Sequence, residues 1–406
     1  MRSYAVLALA APALAQNLNT TYITGLLGAL NGLGLTSLVS VATSLANDTN
    51  GMALLSQLSQ GSKTVFAPNN EAFGRVPQNV SSNTGLLTSI LSYHIADGRY
   101  NASDFAQKPN HTIVRTHLND SSLVNLGGGK AQVLVVEREG GNDNDVNILT
   151  LSDDVDVDRT ATYENLIIHV IDDVLTPPGT ISQTATAANL SALVGALQTA
   201  NLVAPLEAAQ GITIFAPSYV MLSIYSVEVG AYIAFKFRNQ AFTAALAALG
   251  AQAQNASVIS AVLANHVING TSVYSTGLTA QSFASAGGQA FSFSSNSSGT
   301  YVTSGSSTAR ITRADIPVRN GVVHLIDNVL ANTASNPEAA ASAAVSQSSV
   351  AATATSIPAA TNPGGSSPSP SNNASIRTAG AMPSAAAFFS IVATGMGALL
   401  GGMLVF

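Results

Sequence analysis

The chain repeats itself, and the repeat constrains it more than any other feature. Thr64-Val65-Phe66-Ala67-Pro68-Asn69 returns as Thr213-Ile214-Phe215-Ala216-Pro217-Ser218. Ile90-Leu91-Ser92-Tyr93-His94-Ile95 returns as Val262-Leu263-Ala264-Asn265-His266-Val267. Leu166-Ile167-Ile168-His169-Val170-Ile171-Asp172-Asp173-Val174-Leu175 returns as Gly321-Val322-Val323-His324-Leu325-Ile326-Asp327-Asn328-Val329-Leu330. Thr64 and Thr213 stand 149 residues apart, and Leu166 and Gly321 stand 155 apart. Those intervals are too long for solenoid repeats and suit two homologous domains. Thr176-Pro177-Pro178-Gly179 lies between the copies as a breaker cluster.

Each copy opens with apolar residues at helical spacing: Leu26, Leu27, Leu30 and Leu33, then Leu38, Val41 and Leu45 in the first, and Leu190, Leu193, Val194 and Leu197 in the second. A short apolar strand ending at Ala-Pro follows, then a helix bearing the middle histidine, then several strands. Residues 132–137 and 146–151 flank a Gly/Asn/Asp turn and predict a hairpin. Helices first and strands after predict an α+β fold, made twice.

The three blocks are similar to those of the fasciclin (FAS1) family. Its first block resembles TVFAPNNEAF at 64–73, its second is a Tyr-His pair such as Tyr93-His94, and its third resembles GVVHLIDNVL at 321–330. The resemblance covers 19–175 and 181–330. It implies two tandem α+β domains, each a wedge of β-strands packed with helices, in an extracellular adhesion or matrix protein. As structural motif residues it carries over Phe66, Pro68, Tyr93, His94, His169 and Asp172, then Phe215, Pro217, His266, His324 and Asp327. There are two departures. Asn265 stands where the Tyr of the pair is expected, and Glu164-Asn165-Leu166 stands where Asn-Gly-Val is usual.

Residues 1–15 combine Arg2, an apolar run and the small-residue site Ala13-Leu14-Ala15, the order of a cleaved export signal. Residues 385–406 are apolar and uncharged, with no Lys or Arg after them, unlike a stop-transfer helix. Small residues at Asn373-Ala374-Ser375 and a spacer at 376–384 precede that run. The order predicts a GPI anchor at Asn373 and removal of 374–406. Residues 331–373 are mostly Ala, Ser, Thr, Pro and Asn, with Glu338 the single charge, and predict an extended glycosylated stalk.

Eleven N-x-[ST] sequons, at Asn19, Asn47, Asn79, Asn101, Asn110, Asn119, Asn189, Asn255, Asn269, Asn296 and Asn373, predict N-glycans on exposed loops. The absence of cysteine excludes disulfides, Cys-ligated zinc, iron–sulfur clusters and thiol nucleophiles. Lys+Arg 15 against Asp+Glu 21, with 9% of residues charged, does not suit a nucleic-acid partner, which needs a basic face.

The sequence assembles no catalytic, cofactor-binding or metal set, and the expectation is a protein that is not an enzyme. His94, His169, His266 and His324 sit among apolar residues and read as buried, hydrogen-bonded core histidines. His111 and His117 lack a third metal ligand at a supporting spacing. Asp143, Asp145 and Asn147 begin like a calcium loop, but Ile148 stands where the turn needs Gly. Asp154, Asp156 and Asp158 alternate with Val155 and Val157, the charged face of a half-exposed strand. The G-x-S-x-G elbow and the Walker motif are absent, Gly127-Gly128-Gly129-Lys130 lacks the Ser/Thr that would hold magnesium, and Gly32-Leu33-Gly34 lies in a helical region.

Residues 219–238 interrupt the second copy inside its first block, where removing them restores APSNQAF against APNNEAF. Phe215 and His266 stand 51 residues apart, or 31 without the insert, close to the 28 between Phe66 and His94. Ser218-Tyr219-Val220 is encodable as TCG-TAY-GTN, holding a GTAYGT donor, and Phe237-Arg238 as TTY-AGR, holding a TTYAG acceptor. The insert reads as a retained intron.

The sequence thus predicts a GPI-anchored, glycosylated, fungal-type protein of the plasma-membrane outer face or cell wall, acting in adhesion or in organising wall and matrix. Its expected partners are surface or matrix proteins or glycans, with no nucleic acid, no cofactor, and membrane contact through the lipid anchor alone. The alternatives are a binding module for a small apolar ligand and a passive wall component.

Overall fold

Two seven-stranded sheets carry the fold in the computed structural model, which describes residues 10–140, 145–218 and 255–354. Of 10–19, 191 and 192 it describes the backbone alone. The insert at 219–238, Asp143, Asn373 and the predicted anchor signal at 374–406 lie outside the described residues. The chain divides into two compact units, 1–120 with 131–177, and 121–130 with 178–406.

The first unit begins with α1 (Ala10–Gly32), α2 (Thr36–Leu45) and α3 (Thr49–Gln57). Asp48 starts α3 by accepting the Asn50 and Gly51 N–H groups at 3.0 Å each, donors that a helix start leaves open. Then come β1 (Lys63–Pro68), α4 (Asn70–Gly74), α5 (Gln78–Ser81), α6 (Thr84–Tyr93), β2 (Ile95–Asp97), β3 (Thr112–Arg115), β4 (Val133–Arg138), β5 (Val146–Ile148), β6 (Val155–Tyr163) and β7 (Leu166–Ile171). The sheet order is β2-β1-β7-β6-β5-β4-β3, with β1 and β7 parallel and Phe66 opposite His169. The expected hairpin is β4 with β5, Val136 opposite Ile148. Leu26, Leu30, Leu38, Leu45 and Leu55 of the helices bury against Leu166, Ile168 and Val170 of β7. Each such side chain contributes about 1.5–3 kcal/mol when fully buried.

The second unit repeats the plan with α7 (Ile181–Ala187), α8 (Ser191–Thr199), α9 (Val203–Ala208), β8 (Ile212–Pro217), α10 (Ala256–Ala264), β9 (Val267–Asn269), β10 (Phe283–Ala284), β11 (Ala290–Asn296), β12 (Gly299–Ser304), β13 (Ser307–Val318), β14 (Gly321–Ile326) and α11 (Pro337–Thr353). Its order is β10-β11-β12-β13-β14-β8-β9, with β8 parallel to β14 and Phe215 opposite His324. Phe215, Phe291, Val302, Ile326 and Leu330 form its core. The fold is α+β, built twice. Among the described residues no helix is long and apolar enough to cross a membrane.

Two expectations need correction. The stretch read as extended stalk from 331 begins instead with α11, whose Asn336 side chain caps Ala339 N–H at 3.1 Å and whose first helical position is Pro337. Alanine loses almost no side-chain entropy on ordering, so this low-charge segment forms a helix that buries Ala340 and Ala344. The other correction concerns Glu164-Asn165-Leu166. Strand register sets Leu166 opposite Lys63 as Gly321 is set opposite Ile212, so Asn165 matches Asn320 and the asparagine is kept. Asn165 Nδ2 donates to the carbonyls of Leu58 at 2.8 Å and Gly61 at 2.5 Å, and Asn320 Nδ2 to those of Leu206 at 2.7 Å and Ala209 at 2.8 Å. Only the next position differs, where a Cβ on Gly321 would lie 1.9 Å from Ile212 O.

Candidate functional site

The motif residues build a hydrogen-bonded frame that is the same in both units. His94 and His266, each just past the end of a helix, donate from Nδ1 to the carbonyls of Ile90 at 2.8 Å and Val262 at 2.7 Å. Their Nε2 atoms accept the backbone N–H of Leu175 at 3.0 Å and Leu330 at 2.9 Å. Both rings are therefore neutral with the proton on Nδ1, and burial pushes each pKa down to about 4 against those backbone bonds. His169 and His324 hold the other tautomer, donating from Nε2 to the carbonyls of Tyr100 at 2.8 Å and Val273 at 2.9 Å. They stack on Phe66 and Phe215 with ring centroids 5.5 Å apart in each case. Burial also lowers the pKa of His169.

Asp172 Oδ1 accepts Asp156 N–H at 2.9 Å and Asp327 Oδ1 accepts Arg310 N–H at 2.7 Å, beside the register shift in each outer ladder. Pro68 and Pro217 end their strands opposite Ile171 and Ile326. Phe66 and Pro68 line a small apolar cavity of the first unit, and Phe215 and His266 line one of the second.

The copies differ at the Tyr-His pair. Tyr93 is buried and its hydroxyl donates to Val133 O at 2.9 Å. Asn265, fully buried, instead donates from Nδ2 to the carbonyls of Asn332 at 2.9 Å and Ala334 at 2.8 Å, and accepts Ser285 Oγ at 2.6 Å. An amide in place of the phenol ring holds the segment that leads into α11.

In the first unit a polar cleft of about 390 Å³ opens between α3, α6 and the end of β2. Asp97 Oδ1 accepts Lys63 Nζ at 2.8 Å and faces His117 Nε2 at 3.0 Å, while His117 Nδ1 faces Gln57 Oε1 at 3.0 Å. Ser89 Oγ donates to Asp120 Oδ2 at 2.9 Å. Burial pushes the Asp97 carboxyl up, but the hydrogen bonds from Lys63 and His117 outweigh it and leave it below its usual range. Carboxylates, amide and hydroxyls converging in one cleft can hydrogen-bond a polyhydroxylated or peptide ligand. Sequence reasoning missed this site, because Gln57, Asp97 and His117 meet only through the fold.

His111 faces Glu137 Oε2 at 3.7 Å rather than His117, and among the described residues no three His, Cys, Asp or Glu side chains come together as a metal set. Asp156 and Asp158 are exposed on β6, and burial, then the neighbouring carboxylates led by Asp172, holds the Asp156 carboxyl above its usual range. Of the sequons, Asn47, Asn79, Asn101, Asn119, Asn189, Asn255 and Asn296 are exposed, Asn110 is half-buried and Asn269 is buried.

The family of the fasciclin domain matches residues 39–177 and 234–332. A fasciclin-like arabinogalactan protein of Arthroderma benhamiae is 29% identical over 317 residues, covering 72% of this chain and 67% of that protein. Immunogenic protein MPB70 of Mycobacterium bovis is 30% identical over 129 residues, 31% of this chain and 55% of the relative, so the match spans about half of that protein. A solved FAS1 domain pair from the insect cell adhesion molecule fasciclin I is 17% identical and covers 72% of this chain and 96% of that one, with a TM-score of 0.34. This chain belongs to the fasciclin domain family and carries its domain twice.

Proposed function

We propose that this chain works outside the cell, attached to its surface, in adhesion or in organising the wall and matrix. The observation that carries this reading is the family match in both copies. It is supported by the export-type residues 1–15, by the anchor-type residues 374–406 behind Asn373, and by seven exposed sequons. The partners are surface or matrix proteins or glycans, and the polar cleft around Asp97 is the contact we assign to them. The apolar-ligand alternative is less well supported. The apolar cavities of the two units measure about 60 and 20 Å³, while pockets for drug-sized ligands run from about 300 Å³.

Deleting the gene and measuring cell–cell and cell–surface attachment tests the role. Attachment falls in the deleted strain, returns with the wild-type chain, and returns only in part with Asp97→Ala plus Ser89→Ala. Unchanged attachment after deletion leaves the passive wall component as the reading.

A further inference from the structure

In the second unit α11 packs against β9 and β10. Ala340 and Ala344 are each 2% exposed, and Gln347 Nε2, on the same helix face, donates to the carbonyl of Asn269 at 3.1 Å. Gly270 has φ +88°, and a Cβ there would stand 2.4 Å from Ser348 Oγ and 2.7 Å from Ala344 O, so helix and strand end touch. The helix is held at both ends. Asn336 N–H donates to Gly287 O at 2.8 Å behind the Asn265 clamp, and Lys130 Nζ donates to the carbonyl of Ala351 in the last turn, where a cation favours the helix dipole.

Asn269 opens the sequon Asn269-Gly270-Thr271. Register places it opposite Ile212, as Asp97 is placed opposite Lys63 in the first unit. The Asp97 side chain is 73% exposed at the rim of its cleft, whereas Asn269 is 7% exposed beneath the helix. One position of the fold is open in the first copy and covered in the second.

An N-glycan is bulky and must stand in solvent from its first sugar. We infer that glycosylation of Asn269 and docking of α11 exclude each other. A chain glycosylated there carries 337–353 undocked, and a chain with α11 docked keeps Asn269 bare. Occupancy of one sequon then sets where the second domain ends and the stalk begins. The inference rests on the secretory route of the proposed function.

The test secretes the full chain from a eukaryotic host with a heterologous export signal placed ahead of it, so that the result stands apart from whether residues 1–15 export the protein. Glycopeptide mass spectrometry measures occupancy at Asn269, with the exposed Asn101 as the control for contact with the transferase, and hydrogen exchange measures protection of 337–353. In the wild type the unprotected fraction equals the fraction glycosylated at Asn269. Thr271→Ala abolishes the sequon and brings the helix to full protection. Ala344→Arg, or the milder Ser348→Arg facing Gly270, removes protection and raises occupancy. A wild-type chain mostly glycosylated at Asn269 with 337–353 fully protected overturns the inference, as does a released helix in both variants with Asn269 still bare.

Discussion

His94 Nε2 accepts the backbone N–H of Leu175 from 81 residues further along the chain, at 3.0 Å. His266 does the same for Leu330 across 64 residues, at 2.9 Å. In each unit one imidazole thus fastens the end of the domain to its middle helix, and it can do so only while Nε2 carries no proton.

Stability therefore depends on pH with a definite sign. The folded rings titrate near about 4 and the unfolded ones near the ordinary 6.5, so between those values the unfolded chain binds more protons. The contribution is complete above pH 6.5 and is lost as pH falls toward 4, on the order of 3 kcal/mol per ring. Denaturant midpoints measured from pH 7 to 4 should fall across that window, and less steeply for His94→Gln. A flat profile refutes the tautomer assignment.

Removing the ring outright leaves Leu175 N–H and Ile90 C=O without their partner and opens a cavity. His94→Ala should cost about 1–3 kcal/mol, read by thermal unfolding. His324→Ala should cost a similar amount. Lost attachment with unchanged thermal stability would place either residue at a surface instead.

Restoring the family tyrosine to the second copy should harm it. In Asn265→Tyr the carbonyls of Asn332 and Ala334 lose their donor and the ring competes for the space of that segment. The expected loss is about 2 kcal/mol, with faster hydrogen exchange in 337–353. Equal stability and exchange would show that the clamp does not hold α11.

Residues 219–238 are proposed to be a retained intron. Transcript sequencing should find mature messages lacking 60 nucleotides, with a Ser codon joined to that of Asn239. Tryptic peptides covering Tyr219 from the native protein would make the segment a true insertion.

Phospholipase that cleaves GPI anchors should release the protein from intact cells. Protein that stays with the membrane after treatment, with Phe406 still present by mass spectrometry, would remove the anchor from the account.

The α+β class and the doubling were legible because apolar period and block order survive in both copies even where single residues change. The match of Asn165 with Asn320 was legible too, since setting Leu166 against Gly321 already sets the two asparagines together, and the strand register keeps that pairing. Helix α11 had its signals in Asn336-Pro337-Glu338, a cap, a first-turn proline and an acidic residue, but low charge and small side chains outweighed them. A sequon is read from three residues, while Asn269 is buried at a strand end whose carbonyl is bonded by a helix far downstream. The cleft draws on α3, β2 and the loop after β3, which no local pattern joins.

The parallel pairing of β1 with β7, and of β8 with β14, also governs the order in which a chain leaving the ribosome can fold. Phe66 emerges about 100 residues before His169, its partner across the ladder, and closing so long a loop is costly before any contact repays it. Each domain stays without its central pairing until its last strand is made. A sheet closed by its own final strand makes slow, late folding a built-in property of each copy.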